Sequence, residues 1–221
     1  METLMKMKWK IGSVEIENPF ILAPMAGVTD LPFRILCKEQ GAGLLCTEMV
    51  SAKAISFHNK NTISLMQIDP VEHPVSMQIF GSEPDLMAEV AKSIEEQPFD
   101  ILDINMGCPV PKVVNNGEGS ALMKNPLLAG RIIEKTAKAI QKPLTVKIRK
   151  GFDDAHDPRR RRAEGVVTAA PTLDHEEDGT GGQHGRPRHG VRFREGQWTK
   201  QSPFRPSRVK MGINDKVMIS R

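Results

Sequence analysis

Two side chains, a thiol and an ammonium, lie in sequence contexts that are typical of chemically functional groups. Cys108 lies in a glycine-flanked loop directly after a predicted strand, and a thiol is mostly protonated at neutral pH, so it could donate a proton. An isolated cysteine is more often a small buried hydrophobe, and we keep that interpretation for Cys37 and Cys46. Lys147 falls inside an apolar run, where a solvated surface charge is a poor explanation. What these groups do therefore depends on the elements that position them.

Five short segments rich in apolar residues alternate with helical patterns. They are mostly apolar throughout, as is typical of strands buried on both faces of a sheet. The predicted strands are Phe20–Ala23, Leu44–Met49, Val75–Ile79, Ile101–Ile104 and Leu144–Ile148. Five successive strand–helix units predict a parallel sheet of the α/β class.

Capping residues mark where three of the helices begin. Asp30 can cap a helix that runs to Gly41, and Ser82, with an acidic residue three positions later, predicts the start of a second. Asn125 followed by Pro126 predicts the start of a third. These helices separate the predicted strands, as parallel pairing requires.

The loops after the strands favour a barrel over an open dinucleotide-binding sheet. Such a sheet would carry G-x-G-x-x-G directly after its first strand, and this chain has Pro-Met-Ala-Gly-Val-Thr-Asp there. Polar or special residues instead end several strands, as in the site of a TIM barrel. They are Pro24, Met25 and Ala26, then Glu48, Gln78, Asn105 with Cys108, and Lys147.

Four sequence strings carry a resemblance to a known family. They are Ala-Pro-Met-Ala-Gly-Val-Thr-Asp from Ala23, Asp-Ile-Asn-Met-Gly-Cys-Pro from Asp103, Gly-Ser-Ala-Leu from Gly119 and Val-Lys-Ile-Arg from Val146. In this order and spacing, residues 11–154 resemble the N-terminal part of a flavin-dependent tRNA-dihydrouridine synthase. The resemblance implies an FMN-binding TIM barrel that reduces a uridine of tRNA to dihydrouridine, with NADPH as the source of electrons.

The resemblance also implies a role for each matched residue. Cys108 corresponds to the acid that protonates the uracil ring, and Asn105 would hold the uracil or the flavin. The resemblance places Lys112 and Arg149 on the substrate side. Lys112 lies in the loop Pro109–Ala121, which forms a mobile rim over the substrate or, equally, a simple polar connection. The residues that would contact FMN are Pro24, Met25 and Ala26 under the ring, Gln78 at its edge and Lys147 as a positive charge beside it.

The composition of the chain changes near residue 156. Residues 1–156 carry 17 basic and 19 acidic residues, whereas residues 157–221 carry 14 basic and 8 acidic ones, with eleven arginines and few large aliphatic residues. The family's later strands and phosphate-binding loops have no counterpart in residues 157–221. We therefore divide the chain into a partial FMN-binding barrel, residues 1–156, and a non-matching segment that is disordered or translated from a shifted reading frame.

The same segment has a functional alternative. Its arginine runs, with Phe193 and Trp198 for stacking, could bind RNA phosphates as a disordered arm. His175, His184 and His189 have no helical spacing and no cysteine nearby, so no metal site is predicted. Because five strands cannot close a barrel, a truncated and inactive fragment with a basic RNA-binding or interaction segment is the alternative function. A flavin barrel acting on a free pyrimidine or an enoate is a further one.

The remaining composition excludes several classes of protein. No apolar run reaches the ~18 residues of a membrane span, and lysines interrupt the N-terminus where a secretory signal would be apolar. Three cysteines without a C-x-x-C pair exclude a disulfide scaffold. A cytoplasmic protein that binds no membrane and no metal is the expectation.

Overall fold

The structure, a computed structural model, describes residues 8–149, residue 152 and the backbone of two strands at 208–212 and 216–220. The strands in chain order are β1 Trp9–Ile11, β2 Val14–Ile16, β3 Leu45–Ser51, β4 Val75–Phe80, β5 Ile101–Met106, β6 Leu144–Ile148, β7 Arg208–Gly212 and β8 Lys216–Ser220. The helices are α1 Leu31–Glu39, α2 Ala52–Ser56, α3 Lys60–Leu65, α4 Pro84–Ser93, α5 Pro111–Val114 and α6 Pro126–Ala139, with 3₁₀ helices at Pro70–Glu72 and Gly119–Lys124.

Four parallel strands, β3 to β6, pair in the order in which they occur along the chain. A doubly wound sheet would reverse this order at a switch point, whereas a TIM barrel adds each strand beside the previous one. The predicted first strand, Phe20–Ala23, forms only a single parallel bridge between Ile21 and Leu44. It occupies the first position of the barrel order but is not an extended strand. The described residues form an open part of a TIM barrel.

The outer face of the parallel sheet carries the main hydrophobic core. Side chains that alternate along β4, β5 and β6 pack against helices α4 and α6, which also contact each other. The completely or almost completely buried members include Met77, Ile79, Leu102, Ile104, Val146, Met87 and Ile132. Each large aliphatic side chain buried in this way contributes about 1.5–3 kcal/mol, so this face fixes the positions of the strands.

The N-terminal hairpin supplies a second, smaller core. Strands β1 and β2 pair antiparallel, and their Ile11 and Ile16 pack with Leu44 and Ile101, which lie at the amino ends of the sheet strands. This hairpin was not predicted, because two strands of three residues are too short to give a clear alternating pattern. It covers the end of the sheet opposite the loops that carry the candidate site.

The capping predictions are correct at two helices and wrong at one. Asp30 accepts a hydrogen bond from the backbone N–H of Phe33, and Asn125 accepts one from that of Leu128. Helix α4, however, begins at Pro84 after Glu83, without a side-chain cap. The Ser82 hydroxyl instead lies 3.4 Å from the carbonyl oxygen of Asn116, because the proline two residues later sets the helix start.

Strands β7 and β8 extend the sheet at its last parallel strand. Strand β8 pairs antiparallel with β6, and β7 pairs antiparallel with β8. The sequence predicts no strand there, because the composition was averaged over residues 157–221. This average hides the two short segments that form β7 and β8. The arginine runs, the three histidines and the boundary near residue 156 lie outside the described residues. Within the described part of the chain, no helix has the length and apolar character that crossing a bilayer requires.

Candidate active site

The inner face of the parallel sheet is polar, although both faces were predicted to be apolar. Gln78, Asp103 and Thr145 occupy partner positions on β4, β5 and β6, and Asn105 partners Lys147 one row nearer the carboxyl ends. Residues two apart on a strand point to the same face, so these five side chains share one surface. The alternation is visible in the strand sequences themselves, and this signal was available before the structure.

A chain of hydrogen bonds crosses the inner face. The Gln78 amide nitrogen donates to Asp103 Oδ2 at 2.5 Å, and the Thr145 hydroxyl donates to Asp103 Oδ1. On its other side, Gln78 Oε1 accepts from the Asn105 amide nitrogen at 2.9 Å. Gln78 and Asp103 are completely buried, and Thr145 and Asn105 are nearly so. The interior strengthens such bonds and makes each one costly to lose.

Asn105 connects this chain to the loop that carries the thiol. Its Oδ1 accepts from the backbone N–H of Cys108 at 2.9 Å and from that of Gly107 at 3.2 Å. The turn directs the chain away from β5 and leaves Cys108 half-buried. Cys46 is buried in β3, as predicted, whereas Cys37 lies on α1 as predicted but is only half-buried. Cys108 thus lies at the carboxyl end of the sheet, with its backbone bonded to Asn105.

The segment after Cys108 is folded, not a simple polar connection. It contains α5 and the 3₁₀ helix Gly119–Lys124, and the backbone N–H of Ser120 donates to the carbonyl oxygen of Cys108 at 2.9 Å. Gly119 has a φ of +58°, and a Cβ there would lie 2.7 Å from that carbonyl oxygen. Only glycine fits this approach, so the Gly119–Lys124 segment packs directly on the cysteine loop.

The loop after the first barrel position is fixed by two acceptors. The Thr29 hydroxyl accepts from the backbone N–H of Met25 at 3.1 Å, and the Glu48 carboxylate accepts from the backbone N–H of Gly27. Glu48 is nearly buried in the middle of β3, whereas Met25 is more than half exposed. This loop therefore presents the Met25 side chain on a rigid turn at the same edge as Cys108.

A buried ion pair supports that loop, and sequence reasoning missed it. Arg34 Nε lies 2.5 Å from Glu72 Oε1, and both side chains are buried. The same guanidinium donates to the carbonyl oxygens of Thr29 at 2.9 Å and Gln67 at 2.7 Å. Nothing in the local pattern of α1 distinguishes a buried arginine from an exposed one, because the partner is 38 residues away.

The predicted cations lie at different depths. Lys147 is half-buried on β6, and its ammonium forms no ion pair with any side chain that the structure describes. Lys112 is exposed on α5, and Arg149 is exposed just after β6.

Pro24 is half-buried, whereas Ala26 is exposed on the Met25 loop. The structure thus joins Gln78, Asn105 and the Cys108 loop by direct hydrogen bonds, and it places the other predicted residues at the same edge without such bonds.

One carboxyl group beside the site has a perturbed pKa. Partial burial raises the pKa of Glu118, the Lys53 ammonium opposes this shift, and the Glu83 carboxylate adds to it. Glu118 directly precedes the glycine that packs on Cys108. Among the described side chains, no group of His, Cys, Asp and Glu residues is arranged to hold a metal ion.

Comparisons with known proteins give one family. Residues 21–169 match the family model of the dihydrouridine synthases. A probable tRNA-dihydrouridine synthase of Rickettsia bellii is 45% identical over 66% of this chain, and tRNA-dihydrouridine synthase B of Pseudomonas putida is 45% identical, also over 66%. The matched part makes up 45% and 44% of those two proteins, so the chain spans less than half the length of the curated relatives it matches.

Among solved structures, this chain is similar to the 6-hydroxypseudooxynicotine amine oxidase HisD from Pseudomonas geniculata N1. The TM-score is 0.49 at 12% identity, over 66% of this chain and 33% of that one.

Proposed function

Because the chain belongs to the dihydrouridine synthase family, we propose that it carries one side of the active site of a tRNA-dihydrouridine synthase. The reaction is the reduction of a uridine in tRNA to 5,6-dihydrouridine, with FMN as the cofactor and NADPH as the reductant. The observation that carries the proposal is the hydrogen-bonded connection from Gln78 through Asn105 to the backbone of Cys108, at the carboxyl edge of a barrel sheet.

The polar groups at this edge suit a flavin ring, whose rim consists of carbonyl oxygens and ring nitrogens. Gln78 and Asn105 each use one of two amide N–H donors in the contacts that the structure describes. Lys147, without an ionic partner there, suits a ring that gains negative charge on reduction. We assign the ring-edge contact to Gln78, the positive charge to Lys147, and the backbone and side-chain surface below the ring to Pro24, Met25 and Ala26.

The bound flavin would supply a hydride to one carbon of the uracil double bond, and the protein must supply a proton to the other. Cys108 is the group that we assign to this step, because a thiol can act as a general acid and its loop is bonded to Asn105 at the carboxyl end of the sheet. The two hydrogen bonds that Asn105 Oδ1 accepts from the backbone hold the cysteine loop, and the contact with Gly119 limits its movement. Asn105 therefore both positions the acid and presents an amide N–H toward a base.

The tRNA would approach from the exposed side of this edge. Lys112 and Arg149 are exposed on the segments that follow β5 and β6, and cations there can contact phosphates. We propose these two residues as substrate-binding groups in a protein of the cytoplasm, where tRNA is modified.

One observation favours the second candidate, an inactive barrel fragment with a basic RNA-binding or interaction segment. Strand β8 pairs antiparallel with β6, where a barrel would continue with a parallel strand. With this pairing, the inner face stays open on that side.

A chimera separates the proposed function from the other alternative, a flavin barrel that acts on a free pyrimidine or an enoate. Residues 1–154 joined to the matching C-terminal part of a relative should form dihydrouridine in tRNA from a strain that lacks the modification, with NADPH as the reductant and mass spectrometry as the readout. Free uracil and an enoate, offered to the same chimera, should not be reduced at a comparable rate. A chimera that binds FMN but leaves tRNA unmodified would contradict the proposed substrate, and one that reduces the small molecules preferentially would favour the other flavin barrel.

A further inference from the structure

We propose that Asp103 is a positioning residue that sets the direction of the hydrogen bonds through Gln78 and Asn105 and thereby holds the loop of Cys108. Asp103 is completely buried on β5. Its carboxylate accepts from the Gln78 amide nitrogen on one oxygen and from the Thr145 hydroxyl on the other. In the part of the chain that the structure describes, no cation pairs with it. Burying a carboxylate that receives hydrogen bonds only from neutral donors costs free energy, so the presence of Asp103 at this position requires an explanation.

At the cysteine loop, the series of hydrogen bonds allows only one orientation of both amides. The backbone N–H groups of Gly107 and Cys108 can only donate, so Asn105 must turn its oxygen toward them and its nitrogen toward Gln78. Gln78 must then turn its oxygen toward Asn105 and its nitrogen toward the next residue. That residue has to accept a hydrogen bond.

Asp103, at the other end of this series of hydrogen bonds, requires the same orientation. A carboxylate has no donor, so Asp103 accepts from Gln78 whichever oxygen faces it. With a residue at position 103 that cannot accept, a buried N–H of Gln78 would lose its partner. Rotation of the Gln78 amide could not recover that bond without breaking the one to Asn105. Asp103 thus acts on Cys108 through two amides and does not touch it.

This orientation also determines what the site presents. With both amide oxygens occupied, the donors left over on Gln78 and Asn105 are N–H groups, of which that of Asn105 lies nearer the surface because Gln78 is completely buried. The consequence that Asp103 holds the acid in place for proton transfer rests on the proposed function, whereas the direction of the hydrogen bonds does not. The test therefore uses neither flavin nor tRNA.

The test is the alkylation of the native full-length chain by iodoacetamide, followed for each cysteine by peptide mass spectrometry. Asp103→Leu removes both acceptors. Cys108 should then react about threefold to tenfold faster relative to Cys37, since one lost buried hydrogen bond shifts a local opening equilibrium by about that factor. Cys46 is completely buried in β3, so its continued protection shows that the chain has not unfolded.

Conservative variants separate positioning from packing. Asp103→Asn can still accept from Gln78 with its oxygen and donate with its nitrogen to Thr145, whose hydroxyl can then turn toward the Leu102 carbonyl oxygen, 3.5 Å away. It should therefore react within about twofold of the native chain, the effect of a weakened single bond. Thr145→Val alone should also do so. The double variant also leaves Gln78 its acceptor, so its relative Cys108 rate should stay near the product of its two single effects.

Two results would overturn the proposal. One is an unchanged relative rate at Cys108 in Asp103→Leu while Cys46 stays protected. The other decides the case if Asp103→Leu unfolds and exposes Cys46: a relative Cys108 rate in Asp103→Asn, which keeps the acceptor for Gln78, that rises threefold or more while Cys46 stays protected. Loss of activity in a chimera without either result would count against the proposed function and not against this role of Asp103.

Discussion

The ion pair between Arg34 and Glu72 holds two segments that are distant in the sequence. Arg34→Met leaves the Glu72 carboxylate buried without a cation, which typically costs about 3–5 kcal/mol. We expect the free energy of unfolding, measured in urea, to fall by that order. The double variant Arg34→Met/Glu72→Leu should lose less than the single one, because no buried charge remains unpaired.

The exposed pair Lys10–Glu15 is the matched control for this prediction. Its side chains are both mostly exposed, so Lys10→Ala should leave the urea midpoint unchanged within error. If Arg34→Met were no less stable than Lys10→Ala, the ion pair would not support the fold as described.

Two of the three local capping signals were correct, whereas the contacts of Asp103 and of Arg34 with residues distant in the sequence were not predicted. Asp30 and Asn125 cap helices through bonds to residues three positions away, a range that the sequence displays. Asp103 was quoted within a family string but was given no role, since its partners are 25 and 42 residues away on other strands. The placement of Asn105 beside Cys108 follows from a short turn, and here the sequence sufficed.

Among the elements, the 3₁₀ helix Gly119–Lys124 depends on one close approach. Gly119→Ala would place a Cβ 2.7 Å from the carbonyl oxygen of Cys108 and 2.9 Å from Val113 Cγ1. Gly117 also has a positive φ, +74°, but a Cβ there meets nothing within 4 Å. Gly117→Ala should cost only the left-handed strain of about 1–2 kcal/mol, and Gly119→Ala should cost clearly more. Urea unfolding of the two variants measures the difference, and equal losses would contradict the packing.

The same segment should respond to pH through Glu118. Burial raises the pKa of this carboxyl in the folded chain, so the folded state binds its proton more tightly than the unfolded state does. The stability that this group contributes is present below its ordinary pKa of 4.5 and is lost as the pH rises through the raised value. Glu118→Gln should therefore be more stable than the native chain at pH 7, and the difference should vanish at or below pH 4.

Thermal unfolding at several pH values tests this prediction. Lys53 opposes the shift, so Lys53→Met in the native background should enlarge the loss of stability with rising pH. A gain for Glu118→Gln that is constant from pH 4 to pH 7 would mean that the carboxyl does not titrate in the way described.

The element predictions were most accurate where strands are long and flanked by turns. Strands β4, β5 and β6 were found within two residues at each end, and β3 begins one residue later and ends two residues later than predicted. The segment at Phe20–Ala23 has the composition of a strand, but strand pairing depends on its neighbours, and in the described residues it makes one bridge. The polar inner face was overlooked because apolar content was averaged along each strand instead of being read at every second residue.

On the scale of the whole molecule, the described residues form one side of a site on an open sheet. The residues that we propose for the flavin ring lie in the described part of the chain, whereas the sequence predicts no counterpart of the family's phosphate-binding loops in residues 157–221. Charge-assisted hydrogen bonds to a phosphate contribute about 1.5–3 kcal/mol each, so the chain by itself should bind FMN far more weakly than a complete relative does.

The absorbance of the purified chain at flavin wavelengths measures this directly. We expect a colourless preparation and, on titration with FMN, an affinity at least a hundredfold below that of a complete relative, the factor that two lost phosphate bonds of about 1.5 kcal/mol each would give. A yellow preparation with one flavin per chain would show that other residues, or a second copy, complete the phosphate site.

The central claim is that Cys108 is the proton donor of a uridine-reducing site. Its most direct test is single-turnover formation of dihydrouridine by the chimera, starting from reduced flavin, with Cys108→Ala compared with Cys37→Ala as the matched cysteine control. We predict that Cys108→Ala slows this step by about 10²–10⁴-fold with flavin still bound, since a positioned general acid is worth about that factor, and that Cys37→Ala leaves it unchanged. A Cys108→Ala chimera that forms dihydrouridine at a near-normal rate would contradict the account.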